Sequence, residues 1–317
     1  MWKRLAMLCL LPLLLVGCND EDCAECPDPA LQPTMANLWP HEDGTGWIYD
    51  LVHNVYWRPV APDPVAPMPT LQELHDALSV APDGNAYEVS RGLFRLRFEG
   101  EVTTASGVTA QSLVGTYFDD DDPRRNWNAG AADGERRLLR LIARGRPDLR
   151  DRILARLGET EADLKNIERS SGFYFLHGYA FAYEDSGYYG YGDGNESHSW
   201  VYLEGDLEVG AQFSMQLVPD LIDDIWLYGQ VWSIADRTVA GVEWRNVLEC
   251  MYAIDMGIQE ATNDEGEVVG HYRSYIYCAT FFAPGFGPIM SRERSYFPGV
   301  EPEWECRIYE WSNVIAR

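Results

Sequence analysis

The chain has 317 residues, with 50 acidic side chains against 25 basic ones and a formal net charge of -25. That surplus argues against nucleic-acid binding over the surface as a whole. The length and the 46% hydrophobic content allow one large domain or two small ones with a sizeable core.

Lys3 and Arg4 precede an apolar run from Leu5 to Val16, which is the length of a secretory signal and too short to cross a bilayer as a helix. The run ends on Leu15, Val16, Gly17 and Cys18, which resembles the lipobox of bacterial lipoproteins. Residues 1–17 are therefore expected to be a signal peptide, with Cys18 acylated and the membrane reached through the lipidated N-terminus. Each buried acyl methylene contributes about 0.8 kcal/mol, so two or three chains hold a protein durably on a membrane. Asn19, rather than Asp, follows that cysteine, which by analogy with enterobacteria points to the periplasmic face of the outer membrane. Losing Lys3 and Arg4 takes the charge from -25 to -27.

Residues 18–36 are acidic, contain proline and lack apolar periodicity, so they read as a flexible tether to a single β-rich domain over 37–317. Cys23 and Cys26 form a C-x-x-C without the second pair of a zinc ribbon or the strand-to-helix setting of a redox motif. A local disulfide is the expectation there, with no metal and no cofactor.

Trp39 to Trp57 alternates loosely and reads as a strand. After a proline-rich connector, Thr70 and Glu73 form a capping box ahead of a short helix. Tyr87 to Phe118 reads as a hairpin turning near Ala105 to Gly107. Between about 134 and 168, leucines and isoleucines recur at helical spacing, with breaks at Gly145, Pro147 and Gly158. From Gly172 the chain returns to strand signals. The expected fold is mainly β and antiparallel, with a small helical insertion.

Gly44-x-x-Trp47 is echoed by Gly210-x-x-Phe213. Three further segments carry a resemblance: Pro40-x3-Gly44-x2-Trp47-x-Tyr49, Val239-Ala240-Gly241 with Trp244 and Asn246, and Phe282-Ala283-Pro284-Gly285-Phe286-Gly287. They are similar to segments of a group of uncharacterised bacterial envelope lipoproteins. In those, the aromatic follows the central glycine by two residues, whereas Trp244 lies three after Gly241. The resemblance implies a strongly curved antiparallel sheet, distantly similar to lipoprotein-carrier half-barrels, and brings no catalytic residues.

In the stretch from Cys250 to Cys278, both cysteines share the apolar parity, and a hairpin symmetric about Asp264 would set them opposite each other. A Cys250–Cys278 disulfide is expected on that register, with Cys306 as an alternative partner for either. Tyr188, Tyr189, Tyr191 and Trp200 border a Gly-rich loop and are either candidates for stacking on a sugar or lipid headgroup or the aromatic edges of a surface hairpin. Asp119 to Asp122, and Asp193 with Asn195 and Glu196, carry oxygen ligands without calcium-loop spacing. Eight arginines between Arg136 and Arg156, among them Arg137, Arg140 and Arg144, face only Asp148 and Asp151, giving a basic face or a self-paired one.

Hydrolase motifs are missing, and Lys165, the sole lysine beyond Lys3, sits in no nucleophile or phosphate context. The leading expectation is a non-enzymatic lipoprotein that binds an apolar ligand or an envelope protein. The alternative is a hydrolase, carbohydrate-active or otherwise, whose carboxylate pair the sequence does not reveal.

Overall fold

Period-two burial builds the sheet. In the strand that opens the domain, Trp47, Tyr49, Leu51, His53 and Val55 are buried while Asp50 between them is exposed, so the odd positions define an inner face. The structure is a computed structural model and describes residues 31–58, 66–80, 88–119, 127–129, 133–165, 179–184, 187–192, 200–219, 221–262, 267–296 and 299–312.

In chain order the elements are α1 (Met35–Leu38), β1 (Gly46–Arg58), α2 (Leu71–Ser79), β2 (Glu88–Thr103), β3 (Thr109–Asp119) and β4 (Trp127–Ala129). The helical insertion follows as α3 (Asp133–Gly145), α4 (Pro147–Leu157) and α5 (Glu161–Lys165). Then come β5 (Tyr179–Glu184), β6 (Gly187–Tyr191), β7 (Trp200–Glu204), β8 (Gln212–Gln216), β9 (Trp226–Val239), β10 (Val242–Thr262), β11 (Val268–Ala283), β12 (Gly287–Tyr296) and β13 (Gly299–Ser312).

The protein is mainly β, and its sheet curls into a half-barrel. All ladders are antiparallel, in the order β7-β6-β5-β3-β2-β1-β13-β12-β11-β10-β9-β8, with β4 beside β3. This is an up-and-down meander that starts and ends in the middle of the sheet. β1 is zipped to β13 from Gly46–Ser312 to Arg58–Gly299. The two sheet edges, β7 and β8, are consecutive in the chain and come together without a ladder. From inside the core, the Tyr252 hydroxyl of β10 donates to the Tyr202 carbonyl of edge strand β7.

Strand alternation sorts the connections to two ends. At the turn end lie the start of β1 and the β2–β3, β5–β6, β7–β8, β9–β10 and β11–β12 connections. At the opposite end lie the insertion and the β8–β9 and β10–β11 connections. The insertion joins the main core through Leu138, Leu139 and Ile142 of α3 and Leu149, Ile153 and Leu157 of α4. Pro147 opens α4, and Gly158 closes it in the left-handed conformation with φ 66°.

β10 is buried on both faces. Cys250, Tyr252 and Ile254 enter the main core, whereas Met251 and Ala253 lie under α2 with Leu74 and Leu78. Burial on both sides explains the unbroken apolar run of that strand. Thr70 caps α2, accepting from Glu73 N–H at 3.3 Å while Glu73 Oε2 accepts from Thr70 N–H at 2.8 Å. At its other end, Arg292 donates to Leu78 O at 2.7 Å and Arg294 to Ala77 O at 2.9 Å, cations placed on helix-terminal carbonyls.

The glycine echo is structural. Thr45 N–H donates to Glu42 O and Ala211 N–H to Glu208 O, with Gly44 at φ 84° and Gly210 at φ 94° in the third position of each turn. Gly44 and Thr45 then bracket Phe98 of β2 through one backbone bond each way, and Gly210 and Ala211 bracket Val231 of β9 in the same manner. Each half of the meander thus begins with the same turn.

Candidate functional site

The three motif segments, separated by up to 250 residues of chain, meet at the turn end. Trp47 Nε1–H donates to Phe286 O at 2.6 Å, and the Tyr49 hydroxyl donates to Pro288 O at 2.7 Å. Trp244 meets Phe286 edge-on, with ring centroids 4.9 Å apart. Local backbone demands explain the small residues. Ala240 and Gly241, at φ 51° and 81°, form the two-residue turn between Val239 and Val242, a type I′ geometry. Pro284 and Gly285, the latter at φ 78°, make a type II turn closed by Phe286 N–H to Ala283 O at 3.0 Å. The register is regular from Val242 to Trp244, and a bulge follows between Trp244 and Val247, where Asn246 takes φ 52° and its N–H donates to Asp236 at 3.0 Å.

What these segments hold is the chain's own N-terminal side. Asn246 Nδ2 donates to Leu31 O at 3.2 Å, and Gly285 N–H donates to Asn37 O at 2.6 Å. The Tyr188 hydroxyl donates to Met35 O and accepts from Trp39 N–H. Trp39, 1% exposed, enters the concave side among Trp47, Phe181, Tyr188, Tyr202 and Phe282, with centroids 4.9 to 6.4 Å away. A Cβ on Gly287 would stand 2.9 Å from Trp39 Cδ1 and 3.1 Å from Trp47 Cζ2, so only glycine admits the two indoles together. Residues 31–36, expected in the tether, are instead bonded to the sheet, and the folded part reaches at least to Leu31. The sequence signal that could have exposed this is Met35-Ala36-Asn37-Leu38-Trp39-Pro40, an apolar cluster placed just before the first turn.

The aromatic candidates are corrected by burial. Tyr188 and Tyr191 lie in β6 and Trp200 in β7, all but closed to solvent, and Tyr189 is 8% exposed with its hydroxyl on Glu204. They form strands and core, with no open ring face for a sugar or headgroup. Burial also pushes the Tyr188 and Tyr202 hydroxyls well above the ordinary phenol range, so both stay protonated.

The disulfide is corrected by register. Cys250 pairs with Thr280 and Cys278 with Tyr252, so the two thiols face the same interior but sit diagonally, and both are free. The Cys278 sulfur contacts the Ser291 hydroxyl at 3.1 Å and the Thr280 hydroxyl at 3.3 Å. Burial raises both thiol pKa values, that of Cys250 to about 12, which keeps them from acting as thiolate nucleophiles. Cys306 pairs in register with Leu51 and Ser291. Cys18, Cys23 and Cys26 lie outside the described residues, as do Asp120 to Asp122 and Asp193, Asn195 and Glu196.

The arginines of the insertion are largely engaged within it. Arg140 Nε donates to Glu159 at 2.9 Å, with Arg136 3.5 Å from the same carboxylate. Arg146 bridges Asp148 and, from the β8–β9 connection, Asp224. Arg150 donates to Ala143 O and Arg156 lies 3.9 Å from Glu135. Arg137 is half-buried and Arg144 exposed. Of the two readings, a basic face or a self-paired one, these contacts fit the second, with partners that are mostly acids of the same insertion.

A polar cluster that the sequence did not mark lies on the outer face. Glu249 Oε1 is 2.8 Å from His75 Nε2 of α2, and its Oε2 accepts from Ser233 at 2.7 Å and Arg237 at 2.8 Å. The His75 ring stacks on Trp232 with centroids 4.1 Å apart. One carboxylate oxygen thus ties α2 to the sheet, and the other is held by two side chains of the neighbouring strand β9. Glu293, the second deeply buried strand carboxylate among the described residues, faces the interior beside Cys278, so Glu249 and Glu293 lie on opposite faces and cannot act on one substrate.

The class these features define is an antiparallel half-barrel filled from its own chain. No protein-family model matches the sequence, and no curated protein matches it. Among solved structures, a Bacteroides fragilis protein described as exported with a YmcC-like fold is similar at 8% identity and a TM-score of 0.28, over 86% of this chain and 99% of that one. A Parabacteroides distasonis protein described as a lipoprotein is similar at 9% identity and a TM-score of 0.32, over 89% and 100%. Likeness at that level assigns neither a fold nor an activity.

Proposed function

We propose that the protein is a lipid-anchored, non-enzymatic component of a bacterial envelope, held through Cys18 at the periplasmic face of the outer membrane, and that its domain works by contacting a protein partner. The anchor rests on the Leu15-Val16-Gly17-Cys18 sequence at the end of its apolar run. The observation that carries the mode of action is Trp39, which lies where a concave aromatic face would otherwise receive an apolar ligand. Filling of that face removes the surface on which ligand carriage depended. Fatty-acid labelling and membrane fractionation of the native chain and a Cys18→Ser variant test the anchor. Label and membrane association are expected in the native chain and lost together in the variant; a variant that keeps both overturns it.

A further inference from the structure

The tether enters the domain at one end, and that end has its own surface. The β10 bulge at Asn246, the β11–β12 turn at Gly285 and the Tyr188 hydroxyl of β6 stitch the segment from Leu31 to Trp39 in place, so the 13 residues from Cys18 to Ala30 begin their path at the turn end. Fully extended, they span about 45 Å. The insertion is much further up: along β10, the run from Val242 at the turn end to Gly257, beside Arg146, is about 50 Å. Exposed apolar side chains occur at both ends, Ile258, Val268 and Val269 beside the β10–β11 connection and Leu31, Val209 and Val242 around the point of entry, so the entry of the tether is what selects the turn end. Such side chains on turns facing a surface can rest against its apolar boundary. Exposed Glu42, Asp43, Glu208 and Glu243 stand among them, which disfavours anionic headgroups.

We infer that the turn end is the membrane-contacting face of the domain, resting on neutral, zwitterionic phospholipid, and that the helical insertion and the outer end of the sheet point away from the bilayer, toward the partner. This rests on the Cys18 anchor proposed above. The test uses the full-length lipidated protein in vesicles of phosphatidylcholine and phosphatidylethanolamine carrying an acceptor dye on the headgroup. A donor dye is placed through a clickable residue at Val209, Val242 or Arg152, and flotation is measured on the same samples.

Energy transfer from positions 209 and 242 should exceed that from 152 severalfold. Asn246→Ala, which frees Leu31, should lower that ratio while flotation is unchanged. Adding phosphatidylglycerol should lower transfer at the turn end; a rise would overturn the assignment to neutral headgroups. Protein that floats with equal or inverted transfer overturns the orientation while leaving the anchor standing. Protein that does not float overturns the anchor and this inference with it.

Discussion

The two ends of the half-barrel are closed by different physics. At the turn end, closure depends on shape: glycines at positive φ, hairpin turns of fixed type, and an indole driven into an aromatic cavity. At the helical end, closure combines apolar helix faces with a web of arginine–carboxylate pairs, several of them open to solvent. The first should resist salt and acid and fail abruptly when its packing changes. The second should yield gradually as charges are screened or protonated.

The largest effect is expected from Trp39→Ala, which empties the centre of the turn end and should remove about 3–5 kcal/mol from the unfolding free energy in denaturant titration. A loss below 1 kcal/mol would mean that the indole is not a structural plug. Gly287→Ala should lose about 1–3 kcal/mol, because its methyl group would meet both Trp39 and Trp47 at a backbone angle of φ 81°. At the other end, Glu159→Gln should lose about 1 kcal/mol at low ionic strength and progressively less as salt is added. Equal salt sensitivity for the Trp39 and Glu159 variants would break the contrast.

A pH titration sharpens it further. The Asp148 carboxyl is held below its ordinary range, chiefly by its hydrogen bond from Arg146. A depressed folded-state pKa contributes stability that is present above the unfolded value and lost as pH falls through the folded one. Protection from hydrogen exchange in α3 and α4, taken relative to the intrinsic rate at each pH, should therefore fall below about pH 4 before that in β1 and β12 does. The smallest effect has the opposite sign: Ala240→Gly, at φ 51° in the β9–β10 turn, should gain about 0.5 kcal/mol.

The sequence carried the sheet because alternation is local. Parity alone placed Cys250 and Cys278 on one face, and the capping box at Thr70 started α2 where expected. Register was missed because it is not local. Thr262 pairs with Val268, which centres the hairpin on residue 265, and the register shifts at Ala261/Thr262 and Asp255/Ile258 cancel, so Tyr252–Cys278 and Cys250–Thr280 keep that same centre. Parity survived that offset of two residues, but the pairing did not.

The aromatic loop was misread for a related reason. Gly187 to Tyr191 is buried on both sides, so it has no polar alternate to announce a strand, while its glycines resemble a loop. The motif residues were visible individually, but their convergence on Leu31 to Trp39 is a tertiary contact, and no periodicity reports it. The His75–Glu249 contact spans 174 residues and was hidden in the same way.

The central claim is that the concave face is occupied by the chain itself. Native mass spectrometry of the Cys18→Ser protein, purified from the periplasm without detergent, tests it most directly. A single sharp mass equal to the polypeptide alone, unchanged on incubation with fatty acids or phospholipids, is the predicted result. A stoichiometric apolar ligand that co-purifies and is lost in Phe282→Ala would contradict it, since that ligand would have to share the space assigned to Trp39.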